Sequence, residues 1–171
     1  MHVRSERDRN LIGAFALAAA DAMRQAVEET VGQGGATPAA LVTIGAYPGR
    51  SLERLRSALQ LSQPGTVRLV ERLQDEGWVE RRPSQGRASA LHLTESGTAL
   101  VDRLLAARGG AMDAVLEALE PEEVAAMAAG AERALAAQTT DRAALERLCR
   151  LCERAACAAC PVAAALRESQ D

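Results

Sequence analysis

Lysine is missing from this 171-residue chain: all twenty basic residues are arginine. Phe, Tyr and Trp occur once each. That excludes an aromatic-rich β core and favours long helices packed through small alanine side chains. Long apolar runs are missing too, since no stretch reaches the ~18 apolar residues of a membrane span. There is no Gly-rich phosphate loop, no H-E-x-x-H pair and no Ser/His/Asp arrangement with supporting context, so an enzyme has no residues to stand on. Cysteine is absent until residue 149, and then all four fall between 149 and 160.

What is present is one chain long enough for a single well-buried core, or for one domain with helical arms. The formal charge is −3, but it is unevenly spread. Residues 50–90 carry +3, whereas 1–49 carry −1 and 91–171 carry −5. A basic middle between acidic flanks marks one anion-facing surface on an acidic body, and each arginine is a planar fork suited to phosphate or guanine. RSERDRN followed by LIGAFALAAADA has the outline of a secretory signal. Glu6, Asp8 and Asp21 oppose that reading, and the apolar spacing runs on at helical period past any cleavage point. The expected location is cytoplasmic, with no membrane contact. There a cysteine cluster points to metal or redox chemistry rather than structural disulfides.

The pattern predicts a long helix over 5–31, closed by GQGG at 32–35. Thr37-Pro38 reads as an N-cap with proline in the first turn of a second helix reaching about Tyr47. Ser51 caps a short third helix, and Ser62 a fourth with Pro64 in its first turn. In that fourth helix Thr66, Leu69, Val70 and Leu73 recur at one-face spacing. From Trp78 the period shortens. WVERR, PSQG and ASALHLT read as strand, turn and strand, with Leu91 and Leu93 on one face and Ala90 and His92 on the other. His92 reads as a solvated or phosphate-near residue rather than a ligand. Thr94 caps a helix to about Ala107, interrupted or bent at Gly109-Gly110. Leu119–Glu123 starts the next helix, and Thr140-Asp141 the last, which is expected to run into the cysteines.

Two short helices joined by a tight turn and followed by a two-stranded ribbon make a winged helix-turn-helix. Its second helix fits the ~12 Å major groove of DNA, and its ribbon reaches the adjacent minor groove. At LQLSQPGTVRLVERLQDEGWVERR (59–82) and LHLTESG (91–97) the sequence resembles the MarR family of bacterial transcriptional regulators. The resemblance implies a mainly α fold with long N- and C-terminal dimerisation helices. It also implies a homodimer that represses a nearby promoter and is released by a small-molecule effector or by oxidation. The family's wing often carries an acid that orients an arginine. Here the run is Gln85-Gly86-Arg87, so the arginine is present and the acid is not.

The inward set leaves Gln63, Gly65, Val67, Arg68 and Arg72 toward the groove, above the cap residue Ser62. Gln63 suits adenine, Arg68 guanine or phosphate, and Gly65 close backbone approach. Arg54 is a phosphate candidate and Arg87 a minor-groove one; Arg81 and Arg82 are weaker candidates at the wing base. A dimer would place two such helices ~34 Å apart on an inverted-repeat operator. Leu11, Phe15, Leu145, Leu148 and Val162 are the apolar residues expected to support it.

Cys149-x2-Cys152-x4-Cys157-x2-Cys160-Pro161 contains two C-x2-C pairs. On a continuous helix the pairs would lie ~12 Å apart and turned by about 80°. No single ion with metal–sulfur bonds of about 2.3 Å could then collect all four. Metal binding therefore requires the helix to break between Arg154 and Ala159, although RAACAA favours helix. Zinc on four thiolates is the leading expectation. An iron–sulfur cluster is second, since Cys152-x4-Cys157-x2-Cys160 has plant-type ferredoxin spacing, and free redox-active or buried thiols are third. Such a site would sit at the end of the dimerisation helices. The expected organisation is an N-terminal dimerisation helix (1–34), a DNA-binding winged region (35–97), C-terminal dimerisation helices (98–148) and a four-cysteine module (149–171). The competing class is a metal or redox protein that uses its winged helix for protein contacts rather than for double-stranded DNA.

Overall fold

The computed structural model describes residues 5–83, 90–157, 160 and 162–164. Seven helices and two strands follow the order ααααββααα among these residues. The first, α1 (Glu6–Val31), starts where the Ser5 hydroxyl accepts the Asp8 N–H at 3.0 Å and stops at Gly32, whose φ is +70°. A left-handed residue at that place closes a helix, and glycine takes it without a Cβ penalty.

After the turn, α2 (Thr37–Ala46) is buried along most of its length, and Leu41 is wholly inaccessible. Thr37 is not its cap, contrary to the sequence expectation; Ala36 is, and Thr37 lies fully buried inside the first turn. The helix pair follows. Ser51 caps α3 (Leu52–Leu59) and Ser62 caps α4 (Gln63–Asp75), as their sequences predict. Thr66, Leu69, Val70 and Leu73 form the buried stripe of α4.

Gly77, at φ +72°, turns the chain into β1 (Val79–Arg82), which pairs antiparallel with β2 (Ala90–Leu93), Val79 opposite Leu93. Two corrections arise here. Ala90 is buried beside Leu91, so β2 is not half-solvated in simple alternation. The backbone of Arg50 forms an added bridge to Leu91 on the far side of β2: the Leu91 N–H donates to the Arg50 carbonyl, and the Gly49 N–H to the Leu91 carbonyl, each at 2.9 Å. The segment ahead of α3 thus covers an edge that would otherwise be open.

Thr94 caps α5 (Glu95–Leu116), which passes through Gly109-Gly110 without interruption. Helix-interior glycine costs about 1 kcal/mol against alanine, less than the packing of α5 along α1 supplies. Beyond it, α6 (Pro121–Gln138) opens with a Glu120–Glu123 capping box and buries no residue in the single chain. Asp141 caps α7 (Arg142–Leu148), which packs on α3. The core gathers Leu41, Val70, Leu73, Leu91 and Leu104 where α2, α4, β2 and α5 meet. No helix among the described residues is long and apolar enough to cross a membrane.

Candidate nucleic-acid interface and cysteine loop

The outer side of the helix pair follows from its inner side. Burying Leu55 and Ala58 of α3 and the stripe of α4 turns Arg54, Gln63 and Arg68 outward, and all three are exposed. The guanidiniums of Arg54 and Arg68 have no hydrogen-bonding or charged partner among the described residues, whereas that of Arg56 is held by Glu53 at 2.7 Å. That contact lowers the Glu53 carboxyl below its ordinary range, chiefly through the hydrogen bond. Arg82 is likewise paired with Glu80 at 2.6 Å, and Arg81 donates to Gln74 at 3.0 Å. The unpaired guanidiniums are the ones expected to meet phosphate or bases.

The Ser62 hydroxyl accepts the Gly65 N–H at 3.2 Å, fixing the start of α4. A Cβ on residue 65 would lie 3.0 Å from that hydroxyl, so glycine there protects the cap as well as leaving room for a groove wall. Val67 is half-buried beside the exposed set. Arg72 is exposed as well, and its guanidinium also donates to the buried Thr37 hydroxyl at 2.9 Å, which ties α4 to α2. Arg87, with the Gln85-Gly86 run, lies outside the described residues.

The cysteines occupy a different setting from the one their sequence suggested. The helix α7 ends at Leu148, and residues 149–151 and 154–157 form turns. The Cys152 N–H donates to the Cys149 carbonyl at 3.0 Å, and the Cys160 N–H to the Cys157 carbonyl at 3.0 Å. Each C-x2-C pair therefore closes its own turn, and helical spacing no longer separates the pairs. The helix stops ahead of the expected break because its seven residues cannot hold themselves without tertiary packing, and that packing ends with α3. All four cysteines line a cavity of about 700 Å³, together with Arg108, Met112 and Leu145.

The Cys149 and Cys152 thiols are hydrogen-bonded, and this bond dominates their acidity. It draws Cys152 down to about 6, against the opposing effect of burial and with help from Arg108. It drives Cys149 far above the ordinary thiol range, and burial adds to the rise. The pair thus gives up its first proton early and its second very late. Burial also pushes Cys157 upward. The Nε of Arg108 is buried and has no hydrogen-bond partner among the described residues. No three His, Cys, Asp or Glu side chains among the described residues are gathered in a metal-ligating arrangement.

The loop lies against both parts of the chain: its cysteines share the larger cavity with Phe15 of α1, Leu116 of α5 and Met127 of α6, and its other side meets the winged unit. Residues Cys152–Ala155 wall a second cavity of about 420 Å³ whose other sides include Gly45, Arg82, His92 and Leu93. His92 faces this cavity instead of standing free on the wing. The Arg154 guanidinium lies 4.4 Å from the centre of the Tyr47 ring, and that of Arg50 lies 3.6 Å from it. Arg50 also pairs with Glu146 of α7, whose side chain is only 3% exposed, and Arg142 approaches the same carboxylate at 3.3 Å. Breaking such a buried pair by removing one partner costs about 3–5 kcal/mol. Sequence reasoning missed Tyr47, Arg50, Arg108, Glu146 and Arg154. The Arg142–Glu146 spacing was readable as a helical pair, but nothing local announces a partner for Arg50 that lies 96 residues away.

Comparison with known proteins agrees with this geometry. Residues 34–88 match the family model described as MarR family. No curated protein matches the chain. Among solved structures, wild-type MarR from E. coli superposes with a TM-score of 0.64 at 20% identity, covering 78% of this chain and 99% of that one. A MarR-family transcriptional regulator from Silicibacter pomeroyi gives 0.59 at 24% identity, covering 77% and 90%. MepR, a transcription regulator of the Staphylococcus aureus multidrug efflux pump MepA, gives 0.61 at 20%, covering 80% and 98%. The second and third of these are described as transcription regulators. Residues 34–88 thus carry the match to the MarR family model, and over most of its length the chain shares the winged-helix fold of these structures.

Proposed function

We propose that this chain is a homodimeric transcriptional repressor that binds an inverted-repeat duplex through α4 and the wing, with zinc held by Cys149, Cys152, Cys157 and Cys160. The observation that carries the DNA-binding reading is the exposed, unpaired state of Arg54 and Arg68 on the outer side of the helix pair, where neighbouring arginines are taken up by acids. Phosphate contacts position such a helix and base edges specify it. Gln63, Gly65 and Val67 lie beside Arg68 to meet the bases, and Arg87 is assigned to the minor groove.

Dimerisation is supported by the apolar surface left open on α1 and α6. Leu11, Ile12 and Leu17 are 53–69% exposed, and Met127 and Leu135 add to the open surface on α6. A cytoplasmic location accords with a DNA partner. A small-molecule effector has room in the 420 Å³ cavity between the wing, α2 and α5. A MarR-family protein of Mycobacterium tuberculosis of the same fold has been crystallised with p-aminosalicylic acid.

The zinc reading is supported by the turns that release the two C-x2-C pairs from helical geometry and by the shared cavity the four thiols face. Zinc thiolate sites are built from such pairs. An iron–sulfur cluster is the alternative occupant and free redox-active thiols the third state. Selection of duplexes from a random library by the purified protein, with elemental analysis of the same anaerobic preparation, tests both parts. The expected result is an enriched inverted repeat and one zinc per chain. No enriched sequence would favour the competing reading, a metal or redox protein with protein partners. A brown, iron-containing protein would replace zinc by a cluster.

A further inference from the structure

We infer that the larger cavity, of about 700 Å³, is a binding site for an aliphatic carboxylate, whose head meets Arg108 and Thr43 and whose chain lies along α5. The site is distinct from the effector cavity named above, although Ala46, Cys152 and Arg154 line both. It depends on neither the zinc reading nor the DNA-binding one. Two unmet donors and the make-up of the wall carry it.

Thr43 of α2 is only 6% exposed, and its hydroxyl has no hydrogen-bond partner among the described residues. The buried Nε of Arg108 is in the same condition, and both residues line the larger cavity and not the smaller one. An arginine N–H can only donate, and a threonine hydroxyl donates as readily as it accepts. Leaving such groups unmet away from water is costly. One carboxylate answers both, since its two oxygens accept from a guanidinium and a hydroxyl at once. A doubly charged head such as a phosphate is disfavoured: Glu132 and Glu146 also line the cavity, and Arg50 and Arg142 take up the charge of Glu146 alone.

The rest of the wall selects the body of the ligand. Arg108, Met112 and Leu116 recur at every fourth residue and so share one face of α5. Their span is about 12 Å, the reach of roughly ten carbons in an extended chain. Met127 of α6 and Leu145 of α7 add to this lining, and flexible thioethers adapt readily to an alkyl chain. Of the two aromatic rings in the wall, Tyr47 already carries the guanidiniums of Arg50 and Arg154, which leaves Phe15. A flat aromatic acid therefore finds little to stack on, whereas an alkyl chain gains from each methylene it buries.

Isothermal titration calorimetry of the full chain with decanoate tests the site, beside octanoate, decanol and p-aminosalicylate. One decanoate per chain is expected. Octanoate, two methylenes shorter, should bind about tenfold more weakly, and so should decanol, which lacks the charge. Arg108→Met should weaken decanoate at least about tenfold and Thr43→Val about threefold, the usual worth of a charged and of a neutral hydrogen bond. Arg103→Ala, on the exposed side of the same helix, should bind as the wild type does. Ligand-free Thr43→Val should melt no lower than the wild type; a lower melting temperature would assign the hydroxyl to the fold and remove it from the site. No saturable binding overturns the inference, as does an affinity unchanged in Arg108→Met or equally reduced in Arg103→Ala. Tighter binding of p-aminosalicylate than of decanoate overturns the alkyl assignment. Sedimentation with decanoate covers the remaining occupant: uptake only as oligomers separate would show a second copy filling the cavity, and overturns the inference too. Each of these results is read without zinc or DNA, so the proposed function stands or falls separately.

Discussion

Arg68 and Cys152 show how a residue's neighbours decide what it can do. Arg68 was readable from the sequence because the inward set of α4 is spaced so plainly that the outward set follows by subtraction. Arg72, one turn on, is exposed too, but its bond to the Thr37 hydroxyl was not readable, because Thr37 belongs to another helix. Arg68→Ala should weaken binding to the selected duplex by about 1–3 kcal/mol if it reads a base. If it touches phosphate, it should lower the salt slope by about one instead. Anisotropy titrations at several salt concentrations distinguish the two, and an unchanged affinity and slope would remove Arg68 from the interface. Cys152 is set by its partner thiol. A lowered acidity constant means that the reactive thiolate exists above it, so alkylation of metal-free protein by iodoacetamide should start at Cys152 and accelerate as pH rises through about 6. Cys149 should stay unreactive under the same conditions. Cys149→Ala removes the hydrogen bond and should move the onset toward the ordinary thiol range; peptide mapping by mass spectrometry reads both results.

Among the elements, those with strong local signals were legible: the Ser51 and Ser62 caps, the Gly77 turn and the start of α5 at Thr94. The cap at Ser62 is worth about 1 kcal/mol, so Ser62→Ala should lower the unfolding free energy by that amount. Where packing outweighs local preference, sequence reading failed. Gly109-Gly110 looked like a breaker and lies inside α5, and RAACAA favours helix yet follows a helix that has already stopped. The two kinds of glycine in α5 make opposite predictions. A Cβ at residue 97 would sit 2.0 Å from the Trp78 carbonyl oxygen, so Gly97→Ala forces α5 away from the turn into β1. A loss of at least about 3 kcal/mol is expected, in the range of severe overpacking. At residue 109 nothing lies within 4 Å, and Gly109→Ala should stabilise the chain by up to about 1 kcal/mol. Urea unfolding of the two variants checks both signs.

For the molecule as a whole, the sequence conveyed the order of elements and the basic centre, but not where the C-terminal segment would dock. Folding α7 back onto α3 depends on a buried carboxylate meeting Arg50, a contact no periodicity encodes. The cysteine loop consequently lies between the winged unit and the arms, and α1 and α6 keep open apolar faces. The proposed repressor is thus a pair of arms carrying two heads, each with its own cysteine loop. The most direct test is the stoichiometry and salt dependence of binding to the selected duplex, measured together by sedimentation and anisotropy. The account predicts two chains per duplex and an affinity that falls steeply as salt rises, with a shallower slope in the Arg54→Ala, Arg68→Ala double variant. One chain per duplex, or an affinity indifferent to salt, would contradict it.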